Sequence, residues 1–328
     1  MAEKRMKEQS AAEFRLLVRT SAALFLLIFL CGRIGLILHE YLGHGLAALL
    51  LGGELQSCRL FLFGGGWVET NLNSDSCLPH LIVALAGITV ELITAFVLLF
   101  FSEKITIPLY QMIATSLAAV LLVHGFYYLS TGIYYGSGDG AMLYSRESFY
   151  SLSAVCLFFI AASLSAFFLS RAHADALIRW LGITGARSPL LILTGASVMA
   201  VSFHFGLTFI ELQTVPHDHF SSVMQPKYEA RIAKELERQL KELAVKTDPR
   251  TAMNARENIT SRLRKKHTPF PLEIPLVLSI LLFMIAGYML RRKACTPSCS
   301  ISIKDIHRMS LIILFLLGVI LMLNRIYG

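Results

Sequence analysis

His39, Glu40 and His44 stand inside the apolar run Leu36–Gly53, which reads ILHEYLGHGLAALLLGG from Ile37 onward. Ionisable and metal-binding side chains at bilayer depth cost several kcal/mol on most scales, so their presence there points to function. Their types define a particular chemistry. Two imidazoles on one face of a helix hold a zinc ion, and a carboxylate beside the first takes a proton from a water activated by the metal. The usual spacing is H-E-x-x-H; here the segment is HEYLGH, one residue longer. On an ideal α-helix each residue turns about 100°, so positions i and i+5 point roughly 140° apart and cannot share an ion. The two histidines meet only if the helix absorbs a residue, as a π-bulge does, and such bulges concentrate at functional sites. Gly43, immediately before His44, gives the backbone room to distort.

A catalytic zinc takes three protein ligands and keeps one position open, so a third ligand is expected. Asp139, in YYGSGDGAMLY, is the candidate. Between Gly138 and Gly140 it also reads as an ordinary turn residue; HEYLGH upstream favours the ligand. Glu91 sits midway along an apolar span. It is either a buried acid paired with Arg33 or a Ser/Thr, or a neighbour of the site. His124, in the next span, is more readily a hydrogen-bonded interior histidine than a ligand, and is kept as a second candidate neighbour. Arg33 reads as ion-paired or snorkelling. Cys58 and Cys77 read as two unrelated thiols, since six cysteines this scattered do not make a disulfide framework. Cys295 and Cys299 form only a weak metal pair.

Membrane helices have to position these groups. The 328 residues are 55% hydrophobic and 16% charged, and apolar stretches of bilayer length recur along them. The expected class is an all-α polytopic membrane protein with about six to seven transmembrane helices and a small β-hairpin near the metal site. The net charge of +8 suits basic membrane flanks; no basic-aromatic pattern argues for nucleic acid. Five basic residues, Lys4, Arg5, Lys7, Arg15 and Arg19, make the N-terminus cytoplasmic in expectation. The first apolar run continues into the motif rather than to a cleavage site, so no cleavable signal peptide is expected.

Composition divides the chain into a polar flank at 1–15, a membrane core at 16–145 with the hairpin region 54–78, further transmembrane helices at 146–212, a polar helical extramembrane region at 213–269 and a C-terminal transmembrane helix pair at 270–328. The spans are Leu16–Gly53, Leu78–Phe101, Ile107–Ile133, Ser148–Ser170, Leu190–Leu212, Phe270–Leu290 and Met309–Leu323. The first, at about 55 Å as one helix, needs a break near Cys31–Arg33, a strong tilt or a reach beyond the membrane. Arg171–Arg187 reads as a loop with three arginines. In the polar region, Ile232, Leu236, Leu240 and Leu243 recur at helical spacing between Pro226 and Lys246, and Asp248–Pro249 opens a second helix.

HEYLGHGLAALLLGG, the hairpin with FGGGW, the Ala-Gly of ALAGITVEL and the Asp-Gly after the third span resemble, in that order over residues 36–145, the site-2 protease family of intramembrane zinc metalloproteases. The likeness is to its minimal, PDZ-less branch. The histidine spacing resembles the H-E-x-x-G-H motif of the dipeptidyl-peptidase III family, which is soluble, so only the spacing carries over. The site-2 resemblance implies His39, His44 and Asp139 as ligands of Zn(2+) and Glu40 as the base. The substrate is then a single-pass membrane protein, cleaved within or beside the lipid bilayer. The hairpin Arg59–Val68 is the suspected substrate-binding element, pairing with an unwound segment as an added strand. The chain departs from the family in its histidine spacing and in lacking a nearby Asn-Pro, and residues 146–328 match nothing in it. Two rival readings stay open. One is a catalytically inactive pseudoprotease that binds transmembrane segments. The other is a metal-ion transporter using His39, Glu91, His124 and His204. The oligomeric state is not read from the sequence.

Overall fold

The long apolar start of the chain forms one helical rod. In the computed structural model, α1 (Ala2–Leu36) passes into a π-helical segment, Ile37–Gly45, and then into α2 (Leu46–Leu50). The apolar part, Ala11–Leu50, is 40 residues, about 60 Å at 1.5 Å per residue and twice a hydrocarbon core. It does not break at Cys31–Arg33; the only irregularity is the π segment downstream.

Residues 2–143, 148–184, 189–213, 227–244, 256, 258–264, 270–290 and 301–327 are described. Among them the protein is an all-α polytopic membrane protein with one two-stranded antiparallel sheet. The other helices are α3 (Cys77–Ser102), α4 (Pro108–Tyr135), α5 (Ser148–Leu181), α6 (Pro189–Leu212), α7 (Lys227–Ala244), α8 (Glu273–Met289) and α9 (Ile303–Tyr327), and residues 258–264 are helical too. Six helices are long and apolar enough to cross a membrane: the first rod, α3, α4, α5, α6 and α9. At 17 residues, α8 reaches about 26 Å, slightly short of the usual core. Asp248–Pro249, Cys295 and Cys299 lie outside the described residues.

The chain divides into two compact units. The first holds residues 1–125, 162–215 and 280–328; the second holds 126–161 and 216–279. In the first unit α6 runs along α1, with Phe25 and Phe203 meeting edge to face at 5.1 Å between ring centres. Ile313 of α9 packs with Phe29 and Leu30 of α1. The hairpin strands are β1 (Glu54–Leu60) and β2 (Gly66–Asn71). Their register runs from Glu54 opposite Asn71 to Leu60 opposite Gly66, with an irregularity between Leu55 and Ser57. Cys58 and Leu60 are buried against Ile320 and Leu323 of α9, with Ile37 and Tyr41 of the π segment packed alongside. Cys58 and Cys77 are both free thiols.

Backbone outside regular structure must find partners inside the protein at membrane depth. The hairpin loop is held from several sides. Arg33, buried in α1, donates to the carbonyls of Phe61 (2.5 Å) and Phe63 (3.3 Å). The carboxylate of Glu211 in α6 accepts from the amides of Leu62 (2.6 Å), Phe63 (2.6 Å) and Gly64 (3.0 Å). Thr208 donates to Phe63 at 3.0 Å. At the end of β1, the amide of Asn324 in α9 makes a reciprocal pair with Leu60, accepting from its N–H and donating to its carbonyl, both at 2.7 Å. Arg33 therefore neither snorkels nor pairs with Glu91; it closes the hairpin loop. Charge-assisted hydrogen bonds contribute roughly 1.5–3 kcal/mol each. Glu211→Ala is accordingly expected to free the loop at 61–65, read as new protease cleavage there and a melting point lower by several degrees.

Helix α5 corrects the expected loop at Arg171–Arg187: it continues through Leu181. Arg187 lies outside the described residues, and Arg171 and Arg179 ride on a helix whose Ala174, Ile178 and Leu181 are buried at helical spacing. Its C-terminal carbonyls are satisfied by Arg19, which donates to Leu181 (2.8 Å), and by the amide of Ile301, which donates to Trp180 (2.6 Å).

In the second unit, α4 ends at Tyr135, whose hydroxyl donates to Glu273 (2.5 Å) and accepts from the amide of Leu272 (2.9 Å) at the start of α8. The expected amphipathic helix is α7. Its Ile232 is buried, and its outer face carries a ladder of Arg238 with Glu235 and Glu242 and of Lys241 with Glu237. These exposed intrahelical pairs contribute only a few tenths of a kcal/mol each.

Candidate metal centre

A π-helix bonds i to i+5, so residues five apart come one above the other, as i and i+4 do in an α-helix. The segment Ile37–Gly45 does this to His39 and His44. The amide of Leu46 bonds back to the carbonyl of Tyr41, five residues earlier. Both histidines are buried, and their Nε2 atoms lie 3.2 Å apart with the rings nearly perpendicular, at 80°.

The partners of the other ring nitrogens set the tautomers. Nδ1 of His44 is 2.6 Å from the carbonyl of Val83. A carbonyl only accepts, so Nδ1 carries the hydrogen and Nε2 carries the lone pair. Nδ1 of His39 faces Oε1 of Glu91 at 3.3 Å, an ion-pair contact. The two Nε2 atoms face one another at 3.2 Å, within hydrogen-bond reach. Tetrahedral zinc with Zn–N distances of about 2.0–2.1 Å sets its ligand nitrogens roughly 3.3–3.4 Å apart. The spacing of this pair fits that ion.

Helix α3 lies against the motif with almost no gap. A Cβ on Gly43 would fall 2.4 Å from Cα of Gly87, and a Cβ on Gly87 would fall 2.7 Å from Nε2 of His44 and 2.8 Å from Nε2 of His39. Both positions therefore require glycine, one for helix contact and one to admit the two rings.

Glu91 is 1% exposed. Its partners are His124, whose Nδ1 lies 2.9 and 3.2 Å from the two carboxylate oxygens, and His39. Of the two readings open for Glu91, the neighbour of the histidine pair is the one observed. His124 is hydrogen-bonded, and to that same carboxylate. His204 instead sits beside Phe25 and Phe29, each 6.4 Å away between ring centres.

Glu40 occupies the π segment and is half-buried. Its charge is felt at the hairpin: the thiol of Cys58 is pushed up to about 11, first by burial and then by the Glu40 carboxylate. Asp139 lies in the second unit, at the head of a short 3-10 turn, Asp139–Leu143. Gly138 before it has φ +61°, and a Cβ on Gly140 would fall 2.8 Å from the amide nitrogen of Ile133. The turn reading of the glycines thus holds, and Asp139 enters the site on the sequence argument alone.

Sequence reasoning did not single out Val83, Glu211 or Asn324, and met Gly87 only as the Gly of ALAGITVEL. Glu211 and Asn324 carried a usable signal, as polar residues near the ends of apolar spans. The Val83 carbonyl carried none. Compared with family models, curated proteins and solved structures, the chain matches none of them.

Proposed function

We propose that this protein is a zinc-dependent intramembrane endopeptidase that cleaves a transmembrane or membrane-proximal segment of a single-pass substrate. The observation that carries the reading is the pair of buried Nε2 atoms 3.2 Å apart, with Nδ1 of His44 on the Val83 carbonyl and Nδ1 of His39 facing the Glu91 carboxylate. In this reading His39, His44 and, from the sequence, Asp139 hold Zn(2+). The metal, when bound, makes water a nucleophile near neutral pH and polarises the scissile carbonyl. Glu40 takes the proton of the attacking water and delivers it to the leaving amine. The hairpin offers extended backbone beside the motif, and a substrate strand would have to use β2, since Asn324 occupies the backbone of Leu60 on β1.

The long histidine spacing was the main support for an inactive pseudoprotease, and a π segment at Ile37–Gly45 favours the active reading instead. A transporter pathway through His204 is disfavoured, because His204 is not among the side chains gathered around His39. The test is metal analysis of the purified protein. About one zinc per chain is expected for a mononuclear site, falling to near zero in His39→Ala, His44→Ala and Asp139→Ala. Full zinc content in all three variants would reject the site.

A further inference from the structure

Helix α3 presents Val83, Gly87 and Glu91 at i, i+4 and i+8, which is one stripe of a helix. Each does something different to the same two rings. The carbonyl of Val83 engages Nδ1 of His44. The missing side chain of Gly87 leaves space for both Nε2 edges. The carboxylate of Glu91 faces Nδ1 of His39. A buried carboxylate without compensation is strongly unfavourable, and the nearest cation in sequence expectation, Arg33, is committed to the hairpin carbonyls. Among the described residues, two imidazoles face Glu91: His124 at 2.9 Å and His39 at 3.3 Å.

We propose that Glu91 is a positioning residue of the metal centre, with His124 as its anchor. The inference rests on the reading of His39 and His44 as metal ligands. Glu91 accepts the Nδ1–H of His39, which fixes the tautomer, aims Nε2 at the ion and makes that nitrogen a better donor. His124, from α4, fixes the carboxylate by donating to it from Nδ1. Ligating histidines that lack such an acceptor lose both orientation and basicity. Two neutral imidazoles and one carboxylate leave part of a dication's charge in place, and a second carboxylate one imidazole away offsets more of it. His44 needs no second carboxylate, because a backbone carbonyl already orients it.

The experiment uses the full chain in detergent. Zinc affinity is measured by competition with a chromophoric chelator, and Co(2+) is substituted to read the ligand field by visible absorption. Glu91→Gln keeps the shape but places an amide N–H against two N–H donors. It is expected to weaken zinc binding by about 10–100-fold, the range seen when such outer partners are lost, and to shift the cobalt spectrum, while the apoprotein stays monodisperse. A merely structural carboxylate would change apoprotein melting and leave affinity and spectrum alone. His124→Asn retains a donor where Nδ1 stood and is expected to bind zinc like the wild type; His124→Ala is expected to bind it several-fold more weakly. This pair decides the question if Glu91→Gln does not fold. Wild-type affinity and an unchanged cobalt spectrum in both Glu91→Gln and His124→Ala would overturn the proposal. So would two ions per wild-type chain, since His39, Glu91 and His124 would then hold a second metal. A wild-type protein that takes up no zinc at all would instead overturn the metal reading on which this one stands.

Discussion

Glu40→Gln is expected to retain about one zinc per chain and to lose at least 10²–10⁴-fold in hydrolysis, the range associated with a positioned general base. The substitution is nearly isosteric, removes one negative charge and touches no proposed ligand. Glu40 follows His39 directly on the π segment, so its backbone is fixed by the same hydrogen bonds that align the histidines. The π segment that carries Glu40 packs its Ile37 and Tyr41 beside the hairpin residues Cys58 and Leu60. The measurement pairs two readouts on one preparation. Zinc is determined in the purified variant, and cleavage of a labelled single-pass peptide is followed after reconstitution into vesicles. Retained zinc with turnover equal to the wild type would remove Glu40 from the mechanism. Loss of zinc together with activity would show instead that Gln had disturbed the site.

Which parts of this molecule could be read from its sequence follows from how local their causes are. Apolar length is local, so the spans at α3, α4, α6 and α9 were legible to within a few residues at most boundaries, extending to about six at the N-terminus of α9. The π segment was legible for the same reason: with His39 and His44 five apart, a shared ion requires a backbone that repeats every five residues. The end of α5 was misread because Arg171 and Arg179 look like part of a loop, whereas Ala174, Ile178 and Leu181 give them a buried stripe to ride on. The hairpin role of Arg33 was not read, because its hydrogen-bond partners are backbone carbonyls of a loop, which no residue type announces. The role of α3 was legible only in part, through Glu91 as a candidate neighbour of the site. Val83, Gly87 and Glu91 act on His44 and His39 across a helix contact, and their spacing alone resembles any other stripe of a membrane helix. Periodicity can say that three residues share a face; only the crossing of two helices says what the face is for.

Two alanine substitutions at that crossing should separate the metal site from the fold. In Gly87→Ala the new methyl would sit 2.7 Å from Nε2 of His44 and 2.8 Å from Nε2 of His39. Contacts so short must open, and the atoms met are ring edges rather than backbone. The rings cannot swing freely, since Val83 holds one and Glu91 faces the other. Relief therefore comes from moving both nitrogens off their shared point. Zinc affinity is expected to fall by about 100-fold or more, the upper end of what misdirected ligands cost, with the apoprotein still folded. Gly43→Ala is a different injury. Its methyl would meet Cα of Gly87 at 2.4 Å and its amide nitrogen at 2.8 Å, so two backbones must separate. Overpacking of this kind typically costs about 1–3 kcal/mol or more, and here it also parts the motif from the helix that orients it. Gly43→Ala should accordingly melt at lower temperature even without metal, and lose zinc as a consequence. Melting curves of apo and zinc-loaded protein for both variants make the comparison. If Gly87→Ala bound zinc as tightly as the wild type, the two Nε2 atoms could not be the ligands, because no dication could reach both past that methyl without the rings first turning away from α3.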